Sequence, residues 1–309
     1  MTLPKHVSCA IAVFMVNLGA TAVAKSQLAQ PLVSEDTLKQ ASEHVYVLAG
    51  FPNIGIVVGS RGTLVIDTGL GERNGATVVR VAQKLAKGPR LYLTNTHYHS
   101  EHTAGEQAFP PDTILVRLAL QQQEMNQRVG EHLNAFRGMS AQNRDLLQEV
   151  KFRSADILFD REMKLDLGGV TTRLFYLGPA HTKADMLILV QEDSVLFPGD
   201  IVQQKIFPIM PNEDSSVKGW LAILEQLKTL SPRVIIPDHG TAVTDVSEIG
   251  NERAYLLDLQ TRASALKRQA VPVDDAGKQV AVEFQTKYPD WQGSVYIPNE
   301  VKRVYEQTQ

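Results

Sequence analysis

Short apolar runs, rich in β-branched residues and broken by glycine, fill the first quarter of the chain. Residues 45–48, 54–59 and 63–67 each predict a strand joined to the next by a Gly-containing turn. Between 77 and 86 the pattern changes: Val78, Val81, Ala82 and Leu85 recur at the spacing of one helix face. A strand follows over 91–96. Residues 117–150 form a Gln-rich stretch with Met125, Val129, Leu133 and Phe136 on one helical face, which predicts an amphipathic helical pair. Strands return over 157–159, 163–167, 170–177 and 186–190. Residues 217–230 make an amphipathic helix with the stripe Trp220, Leu221, Leu224 and Leu227, and Asp214 or Ser215 can cap its start. A further helix is expected over 254–265. Two series of strands separated by helices predict an α/β fold, two sheets packed face to face with helices outside.

Chemistry collects where these strands end. Thr96-His97-Tyr98-His99-Ser100-Glu101-His102 places three imidazoles and a carboxylate directly after the strand that begins Leu91-Tyr92-Leu93. In extended backbone His97 and His99 point the same way and Tyr98 the other. Neutral imidazole and carboxylate are the donors a borderline divalent ion such as zinc prefers. Three later strands end alike: Gly178-Pro179-Ala180-His181-Thr182, Pro198-Gly199-Asp200, and Pro237-Asp238-His239-Gly240. Each sets a His or Asp beside Gly or Pro on a loop held by a rigid sheet. Five of the eight histidines lie in these runs; His6 is near the N-terminus, and His44 and His132 have no evident place.

His-x-His-x-Glu-His, Gly-Pro-Ala-His-Thr, Gly-Asp and Asp-His-Gly, in that order, resemble the motifs of the metallo-β-lactamase superfamily, and Leu64-Val65-Ile66-Asp67-Thr68-Gly69 is similar to its first motif. The resemblance runs from about Val45 to Gly240 and implies a four-layer αββα sandwich with two mixed sheets and a metal site at one edge. It implies that His97, His99 and His181 hold one zinc ion. Glu101, His102 and His239 would hold a second, with Asp200 bridging. Asp67 would be a buried carboxylate that fixes the metal loop. The family usually has Asp where this chain has Glu101, and the added methylene is large against metal–ligand tolerances of about 0.2 Å. The Glu101 site is therefore expected to be the weaker one.

Composition adds a compartment. Residues 1–24 combine a basic start, the apolar run 7–18 and Ala22-Val23-Ala24, the pattern of a cleaved secretory leader. The run is interrupted by Ser8, Asn17 and Gly19 and is short for a membrane span of about 20 apolar residues. The only cysteine is Cys9, so cleavage would leave no thiol; the protein is expected in the periplasm or outside the cell, without a stable membrane span. Removing 24 of the 309 residues leaves 285, enough for one large catalytic domain over 25–245 with a helical appendage over 246–309 packed on it. The formal charge is −3 and there is no basic stripe, which argues against nucleic acid as partner and for a small-molecule substrate.

Two cations roughly 3.5–4 Å apart can share one water and bring its pKa to near 7. The expected reaction is therefore attack of a bridging hydroxide on a carbonyl of a small amide or ester, with Glu101 or Asp200 orienting it or accepting the proton. A β-lactam-like ring is the first candidate substrate. A thioester or lactone, cleaved in the manner of glyoxalase II, is the alternative. Phe51, in the turn Gly50-Phe51-Pro52-Asn53, could contact an apolar substrate, and Lys183 could hold a carboxylate. Two other classes stay open, a diiron redox protein and a non-catalytic metal-binding protein; His99 argues for zinc over iron.

Overall fold

Alternation along the strands sorts apolar side chains onto two faces, and this sorting builds the layers. The computed structural model describes residues 28–308; the expected leader lies outside the described residues. In β3 (Ile54–Val58), Ile54, Ile56 and Val58 face one apolar cluster and Val57 another. In β4 (Gly62–Ile66), Val65 joins the first cluster while Leu64 and Ile66 join the second. The first sheet runs in sequence order: β1 (Leu38–Gln40), β2 (Val45–Leu48), β3, β4, β5 (Arg90–Thr94), β6 (Ile114–Leu118) and β7 (Ile157–Phe159). It is antiparallel through β4 and parallel from β4 to β7.

Parallel neighbours need long crossovers, and helices supply two of them. α1 (Glu72–Leu85) joins β4 to β5, and α3 (Ala119–Met139) with α4 (Ala141–Leu146) joins β6 to β7. The β5–β6 crossover is a loop and the single turn α2 (Ser100–Thr103). The second sheet comprises β8 (Glu162–Asp166), β9 (Thr171–Tyr176), β10 (Met186–Val190), β11 (Val195–Phe197) and β12 (Val234–Ile235), with α5 (Val217–Leu230) before the parallel β12.

Between the sheets Val57, Leu64, Ile66 and Val116 meet Leu174, Met186, Ile188 and Phe197. Outside the first sheet Val78, Val81 and Ala82 of α1 cover Ile56, Val65 and Leu93. Outside the second, Phe175, Leu187, Leu196 and Ile235 pack on α5 and on α6 (Ser247–Arg268), α7 (Val273–Lys287) and α8 (Ile297–Gln307). The order is helix, sheet, sheet, helix: an αββα sandwich. Fully buried Trp220 of α5 donates its indole N–H to the Ile201 carbonyl at 2.7 Å, tying the second outer layer to the residue after Asp200. Among the described residues no helix is long and apolar enough to cross a membrane.

Three local expectations are corrected. Residues 114–118, in part assigned to the helical stretch, are strand β6, whose Val116 carbonyl accepts from Thr94 Oγ1 at 2.8 Å. α1 begins five residues earlier than the apolar period, because Gly75 allows its first turn to touch the metal loop: a Cβ there would lie 2.2 Å from the Gly105 carbonyl oxygen. Ser216, not Asp214 or Ser215, caps α5 by accepting the Gly219 N–H at 3.0 Å. Asp214 instead pairs with Arg128 at 3.3 Å, and Ser215 donates to the His181 carbonyl at 2.8 Å.

Candidate metal centre

The chain leaves β5 at Asn95 and turns through His97–His99 into α2. Buried Arg117 of β6 steadies this loop: it donates to Asn95 Oδ1 at 3.0 Å and pairs with buried Glu106. Asn95 Nδ2 in turn donates to the His102 carbonyl at 2.9 Å. At β4's end Asp67 adopts φ 67°, a conformation Asp tolerates better than most residues. Its carboxylate accepts from the Thr96 N–H (2.8 Å), from Thr96 Oγ1 (3.0 Å) and from His102 Nδ1 (3.0 Å). The last contact keeps a proton on His102 Nδ1 and turns Nε2 toward the other donors, where a cation would have to displace any proton it carries. His181 is fixed in the same sense, because its Nδ1 donates to the Ile209 carbonyl at 2.6 Å.

These constraints aim donors at one volume. His97, His99 and His181 bring ligand atoms within 4.8 Å of one another, and so do Glu101, His102 and His239. Asp200 lies between the groups, 3.4 Å from His181 Nε2 through one oxygen and 3.4 Å from His239 Nε2 through the other. Gly199 adopts φ 61°, where an L side chain is strained, and a Cβ there would press on Thr96 at 3.1 Å; glycine thus lets the Asp200 turn approach the first loop. Glu101 is buried, with Oε1 3.8 Å from His102 Nε2. His97 Nε2, His99 Nε2, His102 Nε2, Glu101 Oε2 and Asp200 Oδ1 are buried without a hydrogen-bond partner. Orphaned buried polar atoms are costly, and five of them on two clustered donor sets fit a site made for cations.

The electrostatics agree. Burial and neighbouring imidazoles hold His97 and His99 well below the usual histidine range, neutral and ready to ligate. Burial pushes Glu101 up to about 7. Burial opposes ionisation of Asp200, yet His239, His181 and His102 outweigh it and hold that carboxyl below its ordinary range. For His102 burial works against the charge, and Asp67, Glu101 and Asp200 overcome it, raising the ring to about 10 on protein groups alone. A bound cation competes for the same lone pair.

The seven residues proposed as ligands thus come together with Asp67. Phe51, 41 % exposed, lays its ring 4.7 Å from His239, at the rim of the site. Lys183, two residues after His181, is exposed; its backbone N–H donates to Glu124 at 3.2 Å and its ammonium has no carboxylate within 4 Å among the described residues.

Sequence reasoning missed three participants. Asp238 Oδ2 lies 2.9 Å from Thr96 Oγ1, whose single proton serves Asp67, and Oδ2 lies 3.4 Å from His102 Nδ1. Burial and Asp67 push its carboxyl well above the usual range, so it is a buried acid. Its adjacency to His239 was the available signal. Thr96 links the two carboxyls. His132 of α3 stacks on His99 with centroids 3.9 Å apart and planes 6° apart, and no spacing rule marks it. His44 lies elsewhere, paired with Asp193 at 2.7 Å.

Known proteins point the same way. The family model of the metallo-beta-lactamase superfamily matches residues 47–239, well over half the chain. A curated relative, an atrochrysone carboxyl ACP thioesterase of Aspergillus novofumigatus, is 25% identical over 210 residues, which is 67% of this chain and 55% of that protein. The chain thus spans about half the length of this relative. Among solved structures, a metallo-beta-lactamase from Pontibacter korlensis superposes with TM-score 0.58 at 18% identity, covering 73% of this chain and 99% of that one. The stereoselective inverting sec-alkylsulfatase Pisa1 from Pseudomonas sp. gives TM-score 0.65 at 15% identity, covering 87% of this chain and 50% of its own. At such identities the structural likeness speaks for the fold. With the ordered motifs, the donor cluster and the family match together, the chain belongs to the metallo-beta-lactamase superfamily.

Proposed function

We propose that this protein is an exported hydrolase with two zinc ions, acting on a small-molecule thioester or similarly activated ester. The observation that carries it is the convergence of seven buried metal-type side chains, five of which point an atom without a protein partner into the cluster. His97, His99 and His181 would hold one ion, Glu101, His102 and His239 the other, with Asp200 between. When bound, the ions would supply Lewis acidity toward a carbonyl oxygen and a water acidic enough to ionise at neutral pH.

The chain's own residues do the rest. Asp67 keeps the His102 proton on Nδ1. Asp200 and Glu101 would orient the attacking water and take up its proton. The Phe51 ring beside His239 gives an apolar substrate a contact at the rim. Water adds to the carbonyl carbon, the carbon–sulfur or carbon–oxygen bond breaks, and an acid and a thiol or alcohol leave.

From motifs alone a lactam came first. The sequence relative described as a thioesterase, and a carboxylate at position 200, move thioesters ahead. Steady-state assay of the zinc-loaded protein on an acyl thioester, a lactone, a penicillin and a carbapenem tests this. The thioester is expected to give at least a tenfold higher kcat/KM than either lactam. A lactam turned over fastest would reverse the order, and no turnover of any carbonyl substrate would end the hydrolase reading.

A further inference from the structure

Beside the metal donors a cleft of about 470 Å³ opens between α3 and the segment 211–213, within the size range of small-molecule sites. Tyr98, Arg128, Glu131, His132, Asn212 and Glu213 line it. It adjoins the metal centre through His132, whose ring lies flat on His99. The Ser100 N–H donates to His132 Nδ1 at 3.1 Å, so the ring proton sits on Nε2. Tyr98 is only 1% exposed and stands edge-on to His99, with centroids 4.6 Å apart. Its hydroxyl accepts from Asn212 Nδ2 at 2.9 Å, and its own proton has no acceptor among the described residues. The inner wall is therefore aromatic.

The charges at the mouth do not cancel. Arg128 is held by Asp214 at 3.3 Å, whereas Glu131 and Glu213 have no basic group within 4.0 Å among the described residues. Two carboxylates without a basic partner above this wall favour an organic cation through their field and repel a carboxylate or phosphate.

We propose that this cleft binds the arm of the substrate that is not attacked, and that it takes an amine-bearing (organic ammonium) arm while rejecting an anionic one. The role as substrate arm rests on the hydrolase reading; the binding preference does not, and the two are tested separately.

Calorimetry on the full zinc-loaded protein with benzyltrimethylammonium and with benzyl alcohol reads the preference. The cation is expected to bind at least tenfold tighter, with an advantage that shrinks at high salt. The double variant Glu131→Gln, Glu213→Gln, changed only at side chains not packed in the core, should lose about tenfold for the cation and little for the alcohol. Equal affinity of the two probes, or a cation affinity that survives the double variant and high salt, overturns the proposal. Paired thioesters with trimethylammonium or carboxylate arms of equal length then place the cleft in catalysis. The cationic member should have the higher kcat/KM by at least tenfold in the parent and lose that advantage in the double variant. A carboxylate arm preferred in the parent would overturn the subsite, whereas cation binding without hydrolysis of either thioester would overturn only the proposed reaction.

Discussion

Replacing Asp67 by Asn changes one atom and leaves the volume of the side chain intact, yet it reverses the hydrogen-bond sense at the metal loop. The carboxylate accepts three bonds: two from Thr96 at 2.8 and 3.0 Å and one from His102 Nδ1 at 3.0 Å. An amide oxygen can keep the backbone bond, but the amide NH2 then faces Thr96 Oγ1 and His102 Nδ1. For His102 the relief is to move its proton to Nε2, which removes the lone pair offered to the second cation. Bonds to a charged acceptor contribute roughly 1.5–3 kcal/mol each. One such bond lost outright and one weakened give a destabilisation of about 2–4 kcal/mol in the metal-free protein. Loss of a group that orients a metal-binding imidazole costs roughly 10–100-fold in affinity, and here the cost should fall on the group with Glu101, His102 and His239. Binding by His97, His99 and His181 should change only a few-fold. Calorimetric zinc titration resolves the two events, and urea denaturation of chelated protein reads the stability. Equal weakening at both positions, or none at either, would refute the role given to Asp67.

Glu101→Ala should abolish the weaker binding event and most activity, while Glu101→Asp should keep or strengthen it; indifference of zinc titration to both would remove Glu101 from the ligand set. Glu106→Ala leaves the Arg117 guanidinium buried without its carboxylate, a change worth about 3–5 kcal/mol. Denaturant unfolding should show that loss and a partial recovery in Glu106→Ala, Arg117→Leu, and a loss under about 1 kcal/mol would contradict the account. Burial lifts the Glu300 carboxyl to about 8 beside Tyr255 in the outer helical layer. A carboxyl held protonated in the fold contributes stability that is fully present below the unfolded pKa of 4.5 and is lost as pH rises toward 8. Stability should therefore fall over that window, and Glu300→Gln should flatten the fall; an unchanged profile in the variant would show that another group sets it.

Strand ends announced the site because metal donors need rigid supports: His97 and His99 directly follow an apolar strand, and His181, Asp200 and His239 lie where an apolar run meets Gly or Pro. The layers were legible for the same reason, since β-branched runs and the Trp220 stripe report which faces are buried. β6 escaped because its one charged residue, Arg117, reads as a solvated charge until Glu106 and Asn95 are seen beside it. α1's early start depends on a backbone contact with Gly105, 30 residues away, which no local period encodes. Asp238 was marked only by its adjacency to His239, and His132 by nothing, for a related reason. Their parts come from Thr96 and His99 packing on them across the fold.

The central claim is that seven side chains form two unequal cation sites. Elemental analysis of protein equilibrated with zinc and then exposed to a graded mild chelator tests it most directly. Two zinc ions per chain are expected, one lost first and the other retained until stronger chelation. His97→Ala should eliminate the retained ion and His239→Ala the labile one. Protein that binds no zinc, or that binds two with both variants unchanged, would contradict the account.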